Sequence, residues 1–213
     1  MDTILLHPAY FPCIAQMAAV VQAESVVFEV EDNYQKQTYR NRCCIAHTQG
    51  VLQLNIPIKH SKSGKRQKMK DVLVENDFPW QSQHWKSLQT AYRTSPFFEF
   101  YEDDLEHLFS QKVTHLLDHN IAIYKVICEM IGIDDSFAKT DRFEKNKSTG
   151  DLRSLIVAKK QPNYGLTPYT QVFGDDHGFL SNMSILDLLF NEGPNTLHYL
   201  EEQDIKKIIS LQE

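Results

Sequence analysis

No stretch of this 213-residue chain approaches the roughly 18 consecutive apolar residues that a membrane-spanning helix needs. Its N-terminal MDTILLHPAY breaks with His and Pro where a signal peptide would stay apolar. The chain is therefore expected in the cytoplasm. A basic excess is missing too: 22 Lys and Arg against 28 Asp and Glu leave a formal charge of -6, which argues against general nucleic-acid binding and makes any recognition of an anion local. Cysteine is scarce. Cys13, Cys43, Cys44 and Cys128 show no paired metal-ligand spacing, and a ring joining Cys43 to Cys44 would be strained, so they read as reduced packing residues. Gly64-Lys65 lacks the earlier Gly and the following Ser or Thr of a P-loop, and neither a GxSxG elbow nor a Gly-rich dinucleotide fingerprint occurs. Hydrolase, kinase and Rossmann readings lose their main support, and no metal, nicotinamide or flavin signature points to a cofactor.

What is present suits one globular domain over residues 1–213, with 42% hydrophobic residues. Thr3 to Leu6 reads as a short buried strand, Pro12 to Ala23 as a helix apolar all round, and Ser25 to Val30 as a second strand. Cys43 to Ala46 and Val51 to Ile58 read as strands around a turn at Thr48-Gln49-Gly50, and DVLVE (Asp71 to Glu75) as another. Between them, Lys59 to Lys70 carries six basic side chains and reads as a loop, either a solvated charge run or a cover for a phosphorylated ligand. From Trp80 the period becomes helical, with Ser95-Pro96 as an interruption and a long amphipathic helix over Lys112 to Ile131 ended by Gly132. The polar run 134–151 reads as a long loop or hinge before a smaller C-terminal helical part, in which Ser184 caps a helix, Gly193-Pro194 breaks it and Asn195 caps the last one. The expected class is α/β, a mixed β-sheet flanked by helices.

Asp32 to Arg42 (DNYQKQTYRNR) reads as an extended segment with Lys36, Thr38, Arg40 and Arg42 on one side and Gln37, Tyr39 and Asn41 on the other. Neither side is a good core. Two accounts fit: an edge strand whose charges discourage pairing, or arginines aimed at phosphate or carboxylate, which guanidinium groups grip bidentately.

Chemistry-bearing candidates gather around this segment. His7, in HPAYFP, follows the first strand's carboxyl end and precedes a helix start, where free N–H groups favour an anion, so it suits a hydrogen-bond or acid/base role unless a backbone carbonyl holds it structurally. His84, on a helix with Trp80 and Tyr92, is a core histidine or a second proton carrier beside a stacking wall. The catalytic candidates are His7, His84 and Asp32, the last to orient a histidine or a hydroxyl. The binding set is Tyr10, Lys36, Gln37, Arg40, Asn41, Arg42, Trp80 and Tyr92. His115 and His119 have the i, i+4 spacing of a metal pair but fall on the polar face, with Leu116 where HExxH has its Glu, so they read as solvated and no metal is expected.

Taken in order, HPAYFP, DNYQKQTYRNR, the strand end at Pro57, the W-x3-HW helix from Trp80 to Trp85, AYRTSPFFEFY, YTQVF at Tyr169 to Phe173 and GFLSNMSILDLLFNEGP at Gly178 to Pro194 resemble the WbqC-like family over nearly the whole chain. Where some relatives read HQPxYLPW, this chain has HPAYFPC. The resemblance brings no established catalytic residues. Because some members lie among genes for O-antigen and other surface polysaccharides, it implies a bacterial protein that binds, or transfers a group on, a phosphorylated or nucleotide-activated sugar precursor. If an enzyme, it is of transferase type. A non-catalytic interaction module, with RNR and PFFEFY as its surface, is the alternative.

Overall fold

Strand β1 (Thr3–Leu6) buries Ile4 and Leu6 and exposes Thr3, the two-residue period of a strand with one face on a core. The computed structural model describes residues 2–59, 66–145 and 150–211. After β1 the chain enters α1 (Ile14–Val21), buried from Ile14 to Val20, and returns as β2 (Ser25–Phe28) parallel to β1, with Thr3 opposite Ser25 and Leu6 opposite Phe28. A parallel return needs a crossover, which α1 supplies. Strands β3 (Arg42–His47) and β4 (Gly50–Asn55) form an antiparallel pair closed through Thr48-Gln49, with Gly50 at φ 99°.

Three helices follow: α2 (Trp80–Tyr92), α3 (Phe98–Ser110) and α4 (Leu116–Ile131). Gly132 ends α4 at φ 81°, donating to the Glu129 carbonyl while Ile133 N–H reaches Cys128, a Schellman closure that an L side chain would strain. The polar run read as a loop or hinge, of which residues 146–149 lie outside the described ones, also contributes a short strand to the sheet. Strand β5 (Ala138–Lys139) pairs parallel with β2, which becomes central, and beyond β1 the Leu5 N–H bonds the Gly150 carbonyl while Leu152 N–H bonds Leu5. Helices α5 (Gly174–His177), α6 (Ile185–Glu192), α7 (Thr196–Glu201) and α8 (Ile205–Ser210) complete an α/β protein with a small parallel sheet and a separate antiparallel pair.

Four local expectations are corrected. DVLVE forms no strand: Val72 to Glu75 lies between 57–59 and 114–116, touching them only through the isolated bridges Ile58 to Val74 and Leu73 to His115, too short a ladder to propagate. Residues 32–42 are not extended, because the chain turns at 36–37, with Gln37 at φ 61°, and again at 39–40. His119 is not solvated but 7% exposed inside the helical layer. Ser184 does cap α6 through the Leu186 N–H, but Asn195 spends its amide on Glu192, and the last helical stretch divides into α7 and α8, the latter capped by Asp204. Among the described residues no helix is long and apolar enough to cross a membrane.

Candidate functional site

The segment after β1 is buried from His7 to Pro12 and is held by other elements. Gln16 of α1 donates to the His7 carbonyl at 3.0 Å, and Tyr10 N–H donates to Tyr39 at 2.8 Å. Asn120 of α4 uses one amide group for both loops, reaching the Pro8 carbonyl at 3.2 Å and the Arg40 carbonyl at 2.8 Å. The helix start expected to offer free N–H groups does not. Ile14 N–H bonds the Met183 carbonyl and Ala15 N–H bonds Asn182 Oδ1, so the 182–184 segment has taken the place of an anion.

His7, Asp32 and Arg40 meet. Arg40 Nη2 donates to Asp32 Oδ2 at 2.8 Å and to His7 Nε2 at 2.8 Å, while His7 Nδ1 lies 3.4 Å from the Glu29 carbonyl. Nε2 therefore accepts, Nδ1 carries the proton, and the ring is neutral with both nitrogens engaged. Burial, then the neighbouring Arg40 charge, holds the His7 pKa well below its ordinary value. Arg40 is itself 0% exposed; burial lowers its pKa to about 10 while Asp32 opposes the shift, so the guanidinium stays charged at neutral pH. This ion pair explains the turns at 36–37 and 39–40, since a buried cation needs its carboxylate and an extended chain would carry Arg40 away from Asp32.

Beside this cluster opens a cleft of about 220 Å³, lined by His7, Asp32, Gln35, Arg40, Lys145, Asp151, Arg153 and Ser154, with Phe143, Ile156 and Val157 as its apolar wall. Arg153 is braced by Asp151 through two contacts, at 3.0 and 2.7 Å, and by buried Glu29 at 3.4 Å. With His7 neutral, three cations and two carboxylates among the described residues line the cleft. Among the described residues Arg40 Nε and Nη1 and Ser154 Oγ are buried without a hydrogen-bond partner. Buried donors are nearly always satisfied, so unpaired ones beside a cleft have hydrogen bonds to offer polar ligand atoms or water.

The other candidates lie elsewhere. Arg42 opens β3 and donates to Gln53 at 3.2 Å in a different cleft, together with Gln37. Asn41 is buried, its amide on the Ile56 carbonyl at 2.9 Å, whereas Lys36 is exposed. Tyr10 is 0% exposed, and its hydroxyl bonds His84 Nδ1 at 2.8 Å inside an aromatic box with Trp80 and His119. Tyr92 donates to the buried carboxylate of Asp187 at 2.6 Å, which also accepts from Tyr169 at 2.5 Å and Gln171 at 2.7 Å. The middle of the basic loop, residues 60–65, lies outside the described residues. Lys68 and Lys70 at its end reach Glu31, the first through its carbonyl at 2.6 Å and the second through its carboxylate at 2.7 Å. Among the described residues no group of three or more His, Cys, Asp or Glu is placed to hold a metal ion.

None of Glu29, Asn120, Asp151, Arg153 and Ser154 was a site candidate from the sequence. Glu29 and Asn120 carry a signal, a charge closing the apolar strand SVVFEV and an amide within the apolar stripe of α4. Asp151 ends the polar run, and Arg153 and Ser154 follow just after it, with no such signal.

A family model described as the WbqC-like protein family matches residues 7–165. It thus spans every element of the cleft and stops short of Tyr169, Gln171 and Asp187. Over 226 aligned residues, covering 92% of this chain and 96% of the other, the sequence is 24% identical to an uncharacterized protein of Mycobacterium tuberculosis, Rv1507c. No solved structure matches.

Proposed function

The chain belongs to the WbqC-like protein family, and from that premise we propose that it binds a phosphorylated or nucleotide-activated sugar precursor of a bacterial surface polysaccharide. The anionic group of that ligand sits in the His7–Asp32–Arg40 cleft. The observation that carries this reading is the Arg40 guanidinium, wholly buried at the cleft with Nε and Nη1 unpartnered among the described residues. Guanidinium groups match phosphoryl oxygens, while the carboxylates of Asp32 and Asp151 on the same lining suit sugar hydroxyls. His7 acts here by orienting Arg40, since both its nitrogens are occupied. Group transfer, where it occurs, draws its electrostatic support from Arg40, Arg153 and Lys145.

Isothermal titration of the protein with a panel of sugar phosphates and nucleotide sugars tests the reading, alongside Arg40→Lys. Lysine keeps the charge opposite Asp32 but removes the fork, so affinity should fall about tenfold or more, the loss of one charged hydrogen bond, while unfolding stays cooperative. Equal affinity in the variant, or no binding across the panel, refutes it. The second reading, a non-catalytic interaction module of the same pathway, draws on Phe100, 69% exposed on α3 among exposed Glu99, Asp103 and Asp104. It expects Phe100→Ser, and not Arg40→Lys, to remove polysaccharide formation in cells.

A further inference from the structure

A second cleft, of about 240 Å³, adjoins the chain segments that border the first. Thr38 bridges Val157, Ala158 N–H donates to Gln37 at 3.3 Å, and the lining is Gln37, Arg42, Gln53, Ala158 and Lys159. Among the described residues its charged groups are Arg42 and Lys159, and no carboxylate lines it, unlike the first cleft. Arg42 Nη1 donates to Gln53 Oε1 at 3.2 Å, which aligns the guanidinium, but Arg42 Nε is buried and has no hydrogen-bond partner among the described residues. A separate observation bears on the same place. Lys160, next to Lys159, is held at φ 52°, a conformation that L side chains rarely adopt and that is found where a binding surface needs a particular backbone.

We propose that this cleft is a second anion site, which takes a phosphoryl group between the Arg42 guanidinium and the Lys159 ammonium, with the Gln37 amide as a further donor. Its chemistry differs from that of the first cleft: two cations without an opposing carboxylate favour a compact dianion over a hydroxyl-rich ligand. The site stands independently of what the His7 cleft binds.

Amide-resolved NMR titration of the full chain with inorganic phosphate tests it. Saturable shifts are expected at Gln37, Arg42, Gln53 and Lys159, and the Arg42→Gln, Lys159→Gln double variant should weaken that binding at least tenfold while the rest of its spectrum overlays the parent. Shifts at these amides without any at His7, Arg40 and Ser154 support the second site and count against an anion in the first cleft. Shifts confined to His7, Arg40 and Ser154, an unchanged dissociation constant in the double variant, or no saturable shift at all overturn it.

Discussion

His119 gives the sharpest quantitative test of the packing, because its ring is 7% exposed, stacks on Tyr10 at 6.0 Å and meets Trp80 edge-on at 5.8 Å. Burial first, then the nearby His84 and His107, lowers its pKa from 6.5 to about 4. A depressed folded-state value means that the unfolded chain binds the proton more readily. The contribution is therefore fully present above pH 6.5 and is lost as pH falls through 4. The shift of 6.5 less 4, or 2.5 pH units, corresponds to roughly 3 kcal/mol when complete and about 2 kcal/mol at pH 5. Phenylalanine keeps the ring stack and abandons no hydrogen bond at Nε2, which has no partner among the described residues. Urea unfolding of the parent and of His119→Phe at pH 8, 6.5, 5 and 4.5 reads the difference. Between pH 8 and pH 5 the parent should lose about 2 kcal/mol more than the variant. Asp187, whose carboxyl burial raises, titrates in the opposite sense, and His84, lowered to about 4, in the same sense, but both are common to the two proteins. Parallel decline of the two curves would refute the buried, neutral histidine.

Asn120→Ala should cost about 2–4 kcal/mol in chemical denaturation, because it strips the Pro8 and Arg40 carbonyls of their donor in a site with no access for water. Gly132→Ala should cost about 1–2 kcal/mol through backbone strain alone, since no heavy atom lies within 4 Å of the added Cβ, and a change below a few tenths would contradict the φ of 81°. Asp187→Asn leaves the donors of Tyr92, Tyr169 and Gln171 facing an amide; a loss of about 3 kcal/mol is expected, and full stability in thermal unfolding would deny the carboxylate its bracing role.

Period and punctuation made much of the fold legible: the strand, helix and strand from Thr3 to Phe28, the turn at Gly50 and the end of α4 at Gly132 all depend on neighbours within a few residues. The misplacement of His119 had a readable remedy. Leu116, His119 and Ile123 follow the i, i+3, i+7 spacing of a buried stripe, and assigning the histidine by its polarity overrode that spacing. DVLVE alternates as a strand should, with Val72 and Val74 buried and Leu73 36% exposed, but alternation cannot say whether a partner ladder is long enough. The turns in 32–42 were not legible at all. They exist because Asp32 neutralises Arg40 inside the protein, and nothing local to the sequence announces an ion pair between residues that the chain must bend to join.

The two motifs that carry the family resemblance, HPAYFP and DNYQKQTYRNR, are held together by direct bonds and by neighbouring elements. Tyr10 bonds Tyr39 through the backbone, Asn120 clasps Pro8 and Arg40, and Asn41 holds Ile56. Such contacts use up donors and acceptors, which makes most of these residues scaffold. Arg40, wholly buried, keeps the most donors unspent. A guanidinium has five N–H donors, and Nη2 spends its two on His7 and Asp32. The hydrogens on Nε and Nη1 remain, without a partner among the described residues, in a wholly buried group at the edge of a cleft, and leaving them unpaired carries the desolvation cost of a buried donor.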